Sequence, residues 1–180
     1  EACLAMTDVM VPGFGNPSSS HRAGEKARRA IFRARNSVSK LFGCLPENIL
    51  FGSGATELNN WILTGLCGES GAHLITTEVE HSSVLRVAEH LAAKGVEVTY
   101  LCVDRDGLID LGELKDAFTS RTTLVSVQWV NGDSGVVQDI ETIASICVTA
   151  GVKLHCDAAQ AVGKIAIDVA NVPVDFLTCS

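Results

Sequence analysis

Residues 124–156 read LVSVQWVNGDSGVVQDIETIASICVTAGVKLHC. Two short segments within this stretch, 124–127 and 153–156, have the length of buried strands. Between them, residues 139–150 carry the pattern of a helix. A helix between two buried strands predicts a βαβ unit, because parallel strands need a crossover connection of about this length.

The same alternation continues on both sides of this unit. Strands are also predicted at 49–51, 74–77, 96–101 and 176–179. Helices are also predicted at 23–42, 56–66, 82–93 and 111–118, and a polar loop at 13–20. Strands and helices that alternate in this way predict an α/β fold with a mostly parallel sheet and helices on both faces. No repeat or flexible linker interrupts the pattern, so residues 1–180 are expected to form a single domain.

Composition places the chain among globular proteins and excludes several functions. Hydrophobic residues make up 47% of the 180 residues and charged residues 19%. The formal net charge of −7 argues against a general nucleic-acid binder, and no apolar run approaches the ~20 residues of a membrane span. The seven cysteines are odd in number and form no Cys-x-x-Cys, which predicts a cytoplasmic protein with neither a disulfide framework nor a zinc site.

Open α/β sheets bind ligands at the carboxyl ends of their strands. The predicted strand 49–51 is followed by GSGATE at 52–57. Small residues before a helix expose backbone N–H groups, and the helix dipole favours an anion there, so this turn is a candidate phosphate site. A plain helix cap with a tight turn explains the same residues equally well. The turn is neither a Walker loop nor a dinucleotide fingerprint, because the required lysine and third glycine are missing.

Four polar side chains follow other predicted strands, namely His81, Asn131, Asp157 and Gln160. An Asp directly after a buried strand is costly unless it is paired, and a protonated pyridine nitrogen would be a suitable partner. Gln160 could then reach the phenolic oxygen of the same ring, and His81 could stack on it or move protons. A capping Asp157, an Asn-Gly turn at Asn131 and a surface His81 explain each residue taken singly. Together with the phosphate site, the set predicts a phosphorylated pyridine cofactor.

These residues resemble the motifs of class V, fold-type I pyridoxal 5′-phosphate enzymes, most closely the cysteine desulfurase and selenocysteine lyase group. The resemblance covers nearly the whole chain. It is carried by GNPSSSH at 15–21, FGSGATELNN at 51–60, EHSSV at 80–84 and HCDAAQ at 155–160. It implies that residues 1–180 are most of the large cofactor domain of such an enzyme, without the small C-terminal domain.

The resemblance also implies roles for particular residues. The cofactor-binding residues would be Ala55, Thr56, His81, Asn131, Asp157, Gln160 and Ser180. The first two and the last would bind the phosphate. His81 would stack over the ring and assist catalysis by proton transfer, Asp157 would pair with the ring nitrogen, and Gln160 would hydrogen-bond the phenolic oxygen.

Three departures from the family pattern are visible. The chain ends three residues before the position of the Schiff-base lysine, and Lys164 belongs to a different motif. The asparagine that contacts the cofactor is the second of a pair in the family, and Gly132 stands at that position, so Asn131 is the remaining candidate. The cysteine that carries the persulfide lies in the family's C-terminal part. These departures, and a terminus within the apolar run 174–180, predict a fragment that is inactive alone.

The implied parent enzyme releases sulfur, or selenium, from cysteine, or selenocysteine, and leaves alanine. The resemblance further implies a homodimer, a sulfur-acceptor protein and a link to iron–sulfur cluster assembly. Two alternatives stay open. One is another class V enzyme, either an aminotransferase or a cystine or C–S lyase, and the other is a non-catalytic α/β scaffold module.

Overall fold

A computed structural model of the protein describes residues 1–11 and 15–180 and contains a five-stranded parallel sheet. The strands are β1 (His73–Thr77), β2 (Glu97–Leu101), β3 (Thr122–Gln128), β4 (Lys153–Asp157) and β5 (Phe176–Thr178). Their order across the sheet is β2-β1-β3-β4-β5, and every pairing is parallel. Because the strands run in one direction, their carboxyl ends meet at one edge. The α/β fold that the alternation predicts is confirmed.

Helices cover both faces of the sheet. They are α3 (Ala55–Cys67), α4 (Ser82–Ala93), α5 (Leu111–Asp116) and α6 (Ile140–Ala150). Successive residues of a strand point to opposite faces. Leu74 accordingly packs in a core with residues of α3 and α4, whereas Ile75 packs in a second core with residues of α5 and α6.

The chain contains two compact units, Glu1–Leu50 and Phe51–Ser180, and the sheet lies in the second. The first unit contains α1 (Ala2–Met10), α2 (Arg22–Phe42) and a 3₁₀ turn at Pro46–Asn48. The sequence did not predict α1, which buries none of its residues. Of the expected loop at 13–20, residues 13 and 14 lie outside the described residues. None of the described helices is both long and apolar enough to cross a membrane.

The strand predicted at 49–51 is wrong. Ile49 is extended, but residues 49–51 belong to no strand of the sheet. The Ile49 carbonyl instead accepts a hydrogen bond from Arg35 Nε at 3.0 Å, and the Leu50 side chain is 64% exposed. A three-residue apolar run has too little pattern to separate a strand from an extended connection. The turn at 52–57 is therefore positioned by helix α3 rather than by a strand before it.

Truncation of a core side chain at the centre of the sheet is expected to be strongly destabilising. Leu124 on β3 is 0% exposed, and Leu124→Ala is expected to lower the free energy of unfolding by about 2–5 kcal/mol, because a cavity adds to the lost burial. Leu108, which is 42% exposed, is the matched control, and Leu108→Ala should cost less than about 1 kcal/mol. Urea unfolding of both variants checks this. Equal losses would show that the Leu124 side chain does not lie in the core.

Candidate active site

The carboxyl ends of three neighbouring strands bring buried polar residues side by side. In the sheet register Gln128 lies opposite Asp157, and Asp157 lies opposite Thr178. A cavity of about 460 Å³ opens at this edge, and its volume is in the range of small-molecule sites. Among its lining residues are all seven that the sequence predicts to bind a cofactor, namely Ala55, Thr56, His81, Asn131, Asp157, Gln160 and Ser180.

Helix α3 presents its N-terminus to the cavity. Its N-cap is Gly54, and no side chain of the described residues makes a capping hydrogen bond there. The first N–H groups, which have no intrahelical partner in any α-helix, therefore also lack a side-chain cap. Gly54 has φ 156°, a backbone conformation that other residues rarely adopt. The Glu57 carboxylate accepts a hydrogen bond from the Ser53 backbone N–H at 2.6 Å, which holds the turn. The backbone N–H groups of Ala55 and Thr56 can therefore bind an anion, with help from the Thr56 hydroxyl.

Asp157 is a buried carboxylate in the same cavity, with 5% of its surface exposed. Its Oδ2 accepts a hydrogen bond from Asn59 Nδ2 at 2.7 Å, and its Oδ1 accepts one from the Ala159 backbone N–H at 3.0 Å. No salt bridge within residues 1–11 and 15–180 includes Asp157. Because a buried charge without a counter-charge is costly, a cationic ring nitrogen in the cavity would be a favourable partner for it.

Glu80 is a second buried carboxyl group at the cavity. Its Oε1 accepts hydrogen bonds from Thr77 Oγ1 at 2.8 Å and from the Gln128 backbone N–H at 3.0 Å. Its Oε2 has no hydrogen-bond partner among the described residues. Burial raises the pKa of Glu80 to about 8. The nearby charge of Asp157 also raises this pKa, whereas the two hydrogen bonds lower it. Glu80 is therefore a neutral acid over most of the physiological pH range.

His81 is the N-cap residue of α4 and is exposed to the cavity. Its Nδ1 accepts a hydrogen bond from the Ser83 backbone N–H at 3.2 Å, and the Ser83 hydroxyl lies 2.8 Å from the same nitrogen. The ring is thus anchored through Nδ1, and Nε2 is the nitrogen through which it can exchange a proton with a ligand.

Asn131 and Gln160 line the cavity, and local contacts use part of each side chain. Asn131 Oδ1 accepts from the Ser134 backbone N–H at 2.8 Å, and its Nδ2 donates to the Val79 carbonyl at 3.1 Å. The turn that begins at Asn131 therefore uses much of its hydrogen-bonding capacity. Gln160 Oε1 accepts from Lys164 Nζ at 2.6 Å, so its Nε2 is the group that can donate to a ligand.

Two further positions bear on the departures from the family pattern. At Gly132, which replaces the expected asparagine, a Cβ would lie 3.5 Å from Gln160 Cγ, so a side chain there would face Gln160. Ser180 is exposed and lines the cavity. No group of three His, Cys, Asp or Glu side chains in the described part of the chain is arranged to hold a metal ion.

Sequence reasoning assigned no role to Glu80 or Asn59. The buried residues of α3 are Ala55, Asn59, Leu63 and Cys67, spaced four apart, so Asn59 lies on the stripe that faces the sheet. Asn59 is fully buried, and a buried asparagine needs hydrogen-bond partners. The signal in the sequence is the position of a polar residue on an otherwise apolar helical stripe. For Glu80, the signal was an acidic residue beside His81 shortly after a buried strand.

Comparisons with known proteins give consistent matches. The family model for class V aminotransferases matches residues 2–180. Cysteine desulfurase IscS of Proteus mirabilis (strain HI4320) is 46% identical over 182 residues, which cover 99% of this chain and 44% of that protein. The same enzyme of Pectobacterium carotovorum subsp. carotovorum (strain PC1) is 46% identical over 171 residues, which cover 93% of this chain and 42% of that protein.

Among solved structures, SspA in complex with cysteine superposes with a TM-score of 0.96 at 36% identity. The match covers 99% of this chain and 52% of that one. The chain thus spans 42–44% of the length of the two relatives and about half of the length of the SspA chain.

Proposed function

The chain belongs to the class V aminotransferase family, and we propose that its parent protein is a pyridoxal 5′-phosphate-dependent cysteine desulfurase. Such an enzyme releases sulfur, or selenium, from cysteine, or selenocysteine, and leaves alanine. The main support is that one cavity is lined by an uncapped helix N-terminus and by Asp157, a buried carboxylate with no salt-bridge partner among the described residues. A phosphorylated pyridinium ring needs an anion site and a carboxylate of this kind. The similarity to proteins named cysteine desulfurases supports the substrate.

In this proposal each end of the cavity binds a different part of the cofactor. Ala55, Thr56 and Ser180 bind the phosphate, and Asp157 pairs with the ring nitrogen. Gln160 donates to the phenolic oxygen, with Asn131 as a further polar contact. His81 stacks over the ring. When bound, pyridoxal 5′-phosphate would supply an electron sink for the amino-acid substrate.

The residues of this chain would control charge and proton position around that chemistry. Asp157 keeps the ring nitrogen protonated, which makes the ring a better electron sink. His81 holds or accepts a proton at Nε2, because Nδ1 is already hydrogen-bonded to Ser83. Glu80, neutral through burial, adds no second negative charge beside Asp157.

The remaining parts of the proposal concern the whole protein. We place the Schiff-base lysine and the persulfide-forming cysteine outside residues 1–180, in agreement with the partial coverage of the relatives. Residues 1–180 would form most of the large cofactor domain. The whole protein would be a cytoplasmic homodimer that passes sulfur to an acceptor protein, for use in iron–sulfur cluster assembly.

Product analysis with the full-length protein tests the proposed reaction. With cysteine and a thiol reductant, it is expected to form sulfide and alanine in equal amounts. A C–S lyase would form pyruvate instead of alanine, and an aminotransferase would require a 2-oxo acid as co-substrate. If neither cysteine nor selenocysteine yielded alanine, the proposed function would be wrong, and absence of any cofactor binding would favour a scaffold.

A further inference from the structure

A network of buried hydrogen bonds lies behind the cavity, and Asn59 is at its centre. Asn59 is 0% exposed. Its Nδ2 donates to Asp157 Oδ2 at 2.7 Å and to Ser83 Oγ at 2.9 Å. Its Oδ1 accepts from Thr178 Oγ1 at 2.6 Å. The side chain therefore contacts elements that are far apart in sequence, and its hydrogen-bonding groups are all engaged.

The charge of Asp157 sets the direction of the hydrogen bonds on one side of Asn59. A carboxylate only accepts, so the amide nitrogen of Asn59 must face it and the amide oxygen must face Thr178. The Thr178 hydroxyl then donates to Asn59 and accepts from His155 Nε2, which lies 3.1 Å away. His155 Nδ1, left without a proton, accepts from Ser126 Oγ at 2.9 Å. Burial lowers the pKa of His155 to about 4, so this branch keeps one protonation state near neutral pH.

The second branch runs from Asn59 to His81. Because Ser83 Oγ accepts from Asn59 Nδ2, its own proton is free to go to His81 Nδ1, 2.8 Å away. The Ser83 backbone N–H also donates to that nitrogen. An imidazole nitrogen that accepts hydrogen bonds carries no proton, so the proton of neutral His81 resides on Nε2.

We propose that Asn59 is a positioning residue that joins the Asp157 carboxylate and the His81 imidazole into one unit, holding the carboxylate in place and fixing the His81 tautomer through Ser83. Its consequence for catalysis rests on the proposed function, because Asp157 and His81 are there the partners of the ring. The tautomer itself depends only on hydrogen bonds within this chain.

The tautomer is measured first, by ¹⁵N NMR of histidine-labelled full-length protein without cofactor. The neutral form of wild-type His81 is expected to carry its proton on Nε2 almost exclusively. Asn59→Leu, which is similar in volume but cannot hydrogen-bond, and Ser83→Ala should both raise the fraction with the proton on Nδ1. Asn60→Leu is the matched control, since Asn60 is exposed and its side chain donates to the Thr56 carbonyl of its own helix, not to Asp157 or Ser83.

Cofactor affinity and kcat of the full-length protein distinguish the branch to Asp157 from the branch to His81. Asn59→Leu should lower both cofactor affinity and kcat by about 10–100-fold, because a hydrogen bond to a charged group is worth about 1.5–3 kcal/mol. Ser83→Ala should lower kcat by about 10-fold and leave cofactor affinity within about 2-fold, since it breaks only the branch to His81. Ser83→Thr, which keeps the hydroxyl, should restore kcat. A role in packing alone would not produce this split.

The outcomes distinguish this inference from the proposed reaction. A wild-type His81 with its proton on Nδ1, or an Asn59→Leu protein that behaves like Asn60→Leu, would overturn the positioning role whatever the reaction is. If the tautomers are as expected but the protein makes no alanine from cysteine, the positioning role of Asn59 stands and the proposed reaction is wrong. If Asn59→Leu does not fold, a wild-type His81 with its proton on Nδ1, or a Ser83→Ala protein with the wild-type tautomer, would still overturn the inference.

Discussion

Replacing Asp157 with asparagine is expected to lower kcat of the full-length protein by about 10³-fold, which is about 4 kcal/mol of transition-state stabilisation. The change removes the only charge with which this residue can stabilise a ring cation. It also breaks a hydrogen bond, because Asn59 and the Ala159 backbone N–H both donate to Asp157 and an amide has a single acceptor oxygen. Steady-state assays of alanine formation, with cofactor affinity from absorbance titration, measure both effects.

A control with the same change of charge separates the site from the net charge of the protein. Asp168 lies outside the cavity lining and makes local hydrogen bonds to Ala170 and Asn171. Asp168→Asn should therefore leave kcat and cofactor affinity within about 2-fold of wild type. Should Asp157→Asn retain more than a tenth of the wild-type kcat, the pairing of Asp157 with the ring nitrogen would have to be abandoned.

Exchanging Glu80 for glutamine is expected to remove most of the loss of stability that the wild-type protein shows between pH 6 and pH 8. The unfolded chain releases the Glu80 proton near the ordinary pKa of 4.5, whereas the folded protein keeps it until about pH 8. Folding is therefore favoured by this group below pH 4.5, and its contribution is lost as the pH rises through the folded pKa. Each pH unit in this window costs about 1.4 kcal/mol, or roughly 2–3 kcal/mol between pH 6 and pH 8.

Glutamine retains the oxygen that accepts from Thr77 and Gln128, so the variant loses the titration and keeps the contacts. Urea unfolding at both pH values measures the slope without any cofactor. Glu78→Gln is the control, since Glu78 is exposed two residues away and its variant should keep the wild-type slope. The pH dependence that His155 adds to stability has the opposite sign, because its contribution is lost as the pH falls from 6.5 towards 4. This contribution is the same in the wild-type protein and both variants, so it cancels in the comparison. An unchanged slope in Glu80→Gln would show that Glu80 is ionised in the folded protein.

Much of the fold could be read from local pattern. The helix predicted at 82–93 has those bounds in the structure, and five of the six predicted strands are present within a few residues. The exception, 49–51, failed because three apolar residues give no period from which to judge pairing. Helix α1 was not predicted, and with none of its residues buried it lacks a stripe packed against a core.

The sequence by itself determined that the chain is an α/β protein and that polar residues follow its buried strands. These properties depend on residues close together along the chain, whose period and turn chemistry are local. Only the tertiary structure decided that Asn59 bonds Asp157, 98 residues away, and Thr178, 119 residues away. It alone raises the pKa of Glu80, because the cost of ionising a carboxyl depends on how completely distant segments exclude water from it.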